Sequence, residues 1–222
     1  MQVGEAVAAR RSVRGFLDTP IEPGLLRDLA VRASRAATGG NIQPWHIDIV
    51  EGAALAELKA IMAGKLERRE TEQPGYDIYP REMTDAQKGR TFAVGEGLYG
   101  HLGIPREDKA ARFRWFARNY AFFGAPAAYF CTVDRRMGPP QWADCGMYLQ
   151  TLMLLAVEAR LATCAQECWA MYPETVEAFL GTPPERMLFC GVAIGHEDPA
   201  EPANRLRTDR AHTQEWLTEV RR

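Results

Sequence analysis

Arg10-Arg11-Ser12-Val13-Arg14 places three guanidinium groups and a hydroxyl within five residues. A phosphate monoester carries nearly two negative charges and three acceptor oxygens. Arginine forks match those oxygens in pairs, and a serine adds a short neutral donor. Three neighbouring cations repel one another, so a bound anion would relieve them. The same segment reads equally as a solvated basic helix end favoured by the helix dipole.

Three further segments carry candidate chemistry. Thr38-Gly39-Gly40-Asn41-Ile42-Gln43-Pro44-Trp45 combines two glycines, which admit a ligand close to the backbone, with two amides that donate and accept. That suits the edge of a heterocycle, and it also suits a polar helix-to-strand turn. Ala165-Gln166-Glu167 follows a short strand expected at 161–164, beside Cys168 and Trp169, and reads otherwise as an ordinary strand end. Asn204-Arg205-Leu206-Arg207-Thr208-Asp209-Arg210 holds three arginines in a Pro-punctuated arm. Such an arm can wrap an anion or stand as a charged terminus.

Other chemistries lack their residues. There is no Gly-x-Ser-x-Gly elbow, His-Glu-x-x-His or Walker-type loop, and no Gly-x-Gly-x-x-Gly follows a strand. The four histidines lack ligand spacing, and Cys164 and Cys168 have no second pair to complete a zinc site. No metal is expected. Five scattered cysteines read as reduced structural thiols.

The elements that must position these groups follow from periodicity. Helices are expected over 2–10, 23–36 with Pro23 at its first position, 53–70, and 85–120 with a break near Gly103 and Pro105. Gly39-Gly40 is expected to stop the second of these. Strands are expected over His46–Val50, Ala127–Val133 and Met187–Ile194, with a turn at Gly138-Pro139-Pro140. Residues 141–160 form a helix apolar on both faces, which calls for burial on nearly all sides, a subunit interface being one route. Residues 71–84 read as loop and 196–213 as an extended arm outside the core. This order favours an α+β fold in one domain spanning 1–222.

The chain has 222 residues, is 46% hydrophobic and 25% charged, and carries a formal net charge of −2. Neither nucleic acid nor a membrane surface is an expected partner, so any anion site must come from local arginines. The longest apolar run, Leu152–Val157, is too short to span a bilayer. The N-terminal residues reach Arg10-Arg11 without an apolar segment, so a cytoplasmic location is the expectation.

Taken together and in order, these segments resemble the nitroreductase family of flavoproteins. The residues that carry the resemblance are RRSVRGF at 10–16, GGNIQPW at 39–45, FFGAP at 122–126, QWADCGMYLQT at 141–151, CAQECW at 164–169 and NRLRTDR at 204–210. Segments 122–151 resemble the branch that includes nitrobenzoate reductases. The resemblance implies a nitroreductase-like fold, a mostly antiparallel central sheet flanked by helices, in an intertwined homodimer with FMN at the interface.

Arg10, Ser12 and Arg210, with Arg207 and Arg11 beside them, match positions that grip the phosphate and ribityl chain. Arg14 matches the position beside flavin N1 and O2. Thr38, Gly39 and Asn41 match the loop supplied by the partner chain. Ala165, Gln166 and Glu167 match the backbone stretch passing N5, and Asn119 a polar contact to the pyrimidine edge. The implied activity is NADPH- or NADH-dependent, ping-pong reduction of nitroaromatics or related small acceptors. Enone or quinone reduction, dehalogenation and non-catalytic FMN binding remain as alternatives on the same scaffold.

Overall fold

The computed structural model describes residues 1–221. Among them, seven α-helices surround one four-stranded sheet: α1 (Val3–Ala9), α2 (Leu25–Ala33), β1 (Trp45–Glu51), α3 (Gly52–Glu67), α4 (Asp85–His101), α5 (Lys109–Ala117), β2 (Ala127–Asp134), α6 (Pro139–Glu158), β3 (Ala162–Gln166), α7 (Pro173–Leu180) and β4 (Arg186–Gly195). The strand order is β1-β2-β4-β3 and every pairing is antiparallel. The expected α+β class with an antiparallel sheet is what folds.

Alternation along β2 divides the core. Ala127, Tyr129, Cys131 and Val133 face α2 and α6, where Leu26, Leu29, Tyr148 and Leu152 meet them. Ala128 and Phe130 face the opposite layer, built from Leu55, Leu58 and Met62 of α3 with Phe122, Trp169 and Val176. Trp169, fully buried, stacks on Phe122 with ring centroids 4.7 Å apart and meets Phe130 and Tyr120 edge-on at 5.2 Å. Gly191 of β4 makes room for it, since a Cβ there would lie 2.5 Å from Trp169 Cδ1.

Local chemistry moves several expected boundaries. Pro23 lies outside α2, because Gly24, at φ 83°, takes the cap position and the helix begins at Leu25. That helix ends at Ala33, before Gly39-Gly40, and the glycines instead form a 3-10 turn in which Gly40 is left-handed. Gly138 caps α6, and Pro139 and Pro140 enter its first turn, where their missing N–H groups would have no partner anyway. The long 85–120 segment splits as expected, with Gly103 at φ 65° in the break. α7 was not foreseen; Pro173 opens it and left-handed Gly181 closes it.

Within the single chain, α6 is buried on one side and open on the other. Cys145, Tyr148, Leu149, Leu152 and Ala156 are buried, yet Met147 on the other face is 41% exposed in the single chain. The tail is also more than an outlying arm, because Ala203 and Asn204 are buried.

Candidate functional site

The Arg10–Phe16 segment is held in extended form along β3. Val13 N donates to Thr163 O at 2.9 Å, and Ser12 bridges Thr163 in parallel register. Downstream, Phe16 N donates to Phe123 O at 3.3 Å and Leu17 N to His196 O at 2.9 Å. Phe123 offers that carbonyl from an unusual backbone: Phe122 and Phe123 sit at φ 52° and 53°. Such bulky residues tolerate the left-handed region only when packing over-determines it, and both are buried.

The tail then returns over this segment. Asn204 Oδ1 accepts from Arg14 N at 2.7 Å, and Asn204 Nδ2 donates to Gly15 O and Asp198 O, each at 2.9 Å. Asp198 N also donates to Gly15 O at 3.0 Å. Gly15 permits the closure, since a Cβ there would lie 2.2 Å from Glu201 Cγ. Glu201 in turn accepts from Arg118 at 2.9 Å. The two ends of the chain are thus clamped through one buried amide.

This clamp brings Arg10, Arg11, Ser12 and Arg14 to one wall of a ≈ 390 Å³ pocket, and Arg207 and Arg210 to the other. Val94 of α4 and Leu206 supply apolar lining. Among the described residues, Arg10, Arg14, Arg207 and Arg210 have no carboxylate partner. Arg207 donates to the carbonyls of Asn204 and Leu206, and Arg210 to those of Thr208 and Asp209. Arg11 differs, because Glu197 already pairs with it. Four uncompensated guanidinium groups in one cleft create a field that a dianion relieves.

A second pocket of ≈ 480 Å³ lies between α4 and the tail, and it shares Val94, Leu206, Arg207, Thr208 and Arg210 with the first. The Arg90–Glu215 ion pair, 3.0 Å, ties the tail to α4 beside it.

Other expected site residues lie apart from the arginine pocket. Gly39 N donates to buried Asp144 of α6 at 3.2 Å, Thr38 Oγ1 accepts from Gln43 N at 3.4 Å, and Asn41 is exposed at φ 58°. Within one chain, Thr38, Gly39 and Asn41 do not line that pocket. Gln166 is buried: its Nε2 donates to Asn119 O and Oδ1 at 2.8 and 3.2 Å, and its Oε1 accepts from Trp169 Nε1 at 3.4 Å. Asn119 Nδ2 donates to Phe116 O at 2.8 Å. These two amides therefore fasten the 118–124 turn to the end of β3. Ala165 is half-buried and Glu167 exposed, at the start of the Glu167–Met171 turn.

The cysteines are free thiols. Burial pushes Cys164 up to about 11, Cys190 up to about 12, and Cys168 still further in the same direction. None of these three is a thiolate at neutral pH, which removes them as nucleophiles. No cluster of metal-ligating side chains occurs among the described residues. Sequence reasoning missed Asn204 as the clamp and Glu197 as the partner of Arg11. The first stood inside a recognised motif; the second gave no local signal.

Comparison with known proteins agrees with this arrangement. The model of the nitroreductase family matches residues 7–196. A 4-nitrobenzoate reductase of Pseudomonas putida is 32% identical over 94% of this chain and 91% of its own length. Among solved structures, the FMN and NADPH-dependent nitroreductase NfnB from Sphigopyxis sp. strain HMH superposes with a TM-score of 0.95, at 47% identity and covering 99% of both chains. The FMN-dependent nitroreductase NfnB from Mycobacterium smegmatis, in complex with NADPH, gives a TM-score of 0.93 at 27% identity, again over 99% of both chains. With its clamped termini, four-stranded sheet and matched length, this chain belongs to the nitroreductase family.

Proposed function

We propose that this protein binds FMN and uses NADPH or NADH to reduce nitroaromatic compounds or related small aromatic acceptors. One observation carries the reading: guanidinium groups from opposite ends of the chain, free of carboxylates, converge on a single pocket. Arg10, Ser12, Arg207 and Arg210 would hold the phosphate, because forked donors match a dianion's oxygens. When bound, FMN would supply the two-electron redox chemistry between the reduced nicotinamide and the acceptor. Arg14 would set a fixed cation beside the ring, where negative charge develops on reduction, and so raise the two-electron potential. The adjoining ≈ 480 Å³ pocket leaves room for a second ligand beside the cofactor.

The complete site is assigned to a homodimer, in which Thr38, Gly39 and Asn41 of a second copy reach this arginine pocket. Apolar exposure supports it: Ile42 is 46% exposed, Met147 41%, Trp216 68% and Val220 78%. Asn119 and Gln166 would act as positioning residues, while Ala165 and Glu167 would offer backbone to the ring. Two core layers sharing one sheet fit a single domain over 1–222. Among the described residues no helix is long and apolar enough to cross a membrane. Free thiols favour a reducing compartment such as the cytoplasm.

The test is an absorption spectrum of the purified protein, then anaerobic titration with NADPH and NADH and re-oxidation by 4-nitrobenzoate. A flavin spectrum bleached by reduced nicotinamide and restored by the nitroarene is expected. A colourless protein that binds no added FMN, or a flavoprotein that neither donor reduces, would overturn the reading.

A further inference from the structure

The two pockets beside the tail meet at the same side chains. Val94, Leu206, Arg207, Thr208 and Arg210 line both the ≈ 390 Å³ arginine pocket and the ≈ 480 Å³ pocket between α4 and the tail. The guanidinium groups that would take the flavin phosphate therefore stand at a junction, with space on either side. A mononucleotide ends at its phosphate, so it uses one side only and leaves the larger space open beyond it.

The walls of that larger space narrow what would fill it. α4 lines it with Gly89, Ala93 and Gly97, so no long side chain occupies it from those positions. A Cβ on Gly89 would meet nothing within 4 Å. Leu206 and Ala211 add apolar surface from the tail, while His101, His212 and the Arg90–Glu215 pair supply polar groups. Apolar walls with a few polar groups suit a flat heterocycle, apolar on its faces and polar at its edges. A separate nucleotide would bring a second phosphate to guanidinium groups that the flavin phosphate already needs, and the two anions would repel. A diphosphate that joins the ring to the flavin avoids this, because it carries two negative charges in all, about what the FMN phosphate carries alone. The tail offers further donors to it: the backbone N–H groups of 207–211 meet no acceptor among the described residues.

We propose, resting on the flavin reading above, that the cleft accepts flavin adenine dinucleotide in place of FMN, its diphosphate at Arg207 and Arg210 and its adenosine between α4 and the tail. The adenosine would then occupy the space that FMN leaves for another ligand.

The experiment equilibrates the full-length protein with equal concentrations of FMN and FAD, removes free flavin, and reads the bound ratio by chromatography after denaturation. Both flavins are expected on the protein in comparable amounts. Gly89→Leu puts an isobutyl group into the adenosine pocket, leaves the cleft arginines in place, and replaces a residue that weakens helices. It should lower the bound FAD:FMN ratio about 10-fold or more by displacing the buried ring, with total flavin loading unchanged. Ala93→Leu, on the same wall, is the second variant and should act likewise. FMN bound with no FAD, or a ratio that neither variant alters, would overturn the dinucleotide site and leave the flavin reading intact. A protein that loads neither flavin would overturn both.

Discussion

Asn204→Ala tests whether the clamp, rather than the arginines alone, builds the cleft. The truncation removes three hydrogen bonds of 2.7, 2.9 and 2.9 Å from a residue 5% exposed. Gly15 O keeps its bond from Asp198 N, at 3.0 Å, and Asp198 O keeps one from Glu201 N, at 3.3 Å, whereas Arg14 N loses its partner. Stranding that one backbone N–H costs about 1–3 kcal/mol, so a loss of that order is expected. Because the clamp also sets Arg207 and Arg210 opposite Arg10 and Arg14, part of that cost should surface as weaker cofactor binding. FMN affinity should fall about 10-fold or more. The assays are thermal melting of the apoprotein and titration by the quenching of FMN fluorescence. Asn204→Asp sharpens the test: it keeps the acceptor for Arg14 N but turns a carboxylate oxygen toward two carbonyls, so it should be worse than alanine. An Asn204→Ala protein with unchanged Tm and FMN affinity, or an aspartate variant that restores both, would refute the reasoning.

Other perturbations probe separate features. Arg10→Ala and Arg210→Ala should each weaken FMN binding about 10-fold or more, the loss of one charge-assisted contact, measured by retention of flavin on dilution. Arg14→Ala should lower the two-electron potential of bound flavin in an anaerobic dye titration, and an unchanged potential in a fully loaded variant would remove its tuning role. Gly191→Ala would press a methyl to 2.5 Å from Trp169 Cδ1 and 3.2 Å from Phe130 Cε1, so it should cost about 1–3 kcal/mol of stability in denaturant melts. Asp134 is held down to about 2, from an ordinary 3.8, first by the Arg136 side chain and then by its backbone N–H. The stability from this depressed carboxylate is present above pH 3.8 and lost as pH falls through about 2, so Asp134→Asn should flatten the Tm profile there.

By itself the sequence determined the periodic elements and the inventory of anion-binding groups. The alternation in β1, the apolar run of β2 and the apolar stripes of α2 and α3 are local patterns, and a chain that buries them has few ways to stack them. The arginine runs at 10–14 and 205–210 were equally visible, but alone the first read equally as an anion site or a solvated helix end, and the second as a charged terminus. What made them a site was their convergence across nearly two hundred residues. That juxtaposition depends on Asn204, on the room at Gly15 and on two phenylalanines in left-handed backbone, none of which periodicity encodes. Tertiary structure alone also separated Arg11 from its neighbours, because a distant carboxylate, Glu197, claims it. α7 escaped notice because its eight residues follow directly on a 3-10 turn and span little more than two helical turns, too short for a 3.6-residue period to show. Local sequence sets which groups a segment offers; only the packed chain decides which of them meet, because the long-range contacts that join them are made by burial and shape rather than by neighbours in the chain.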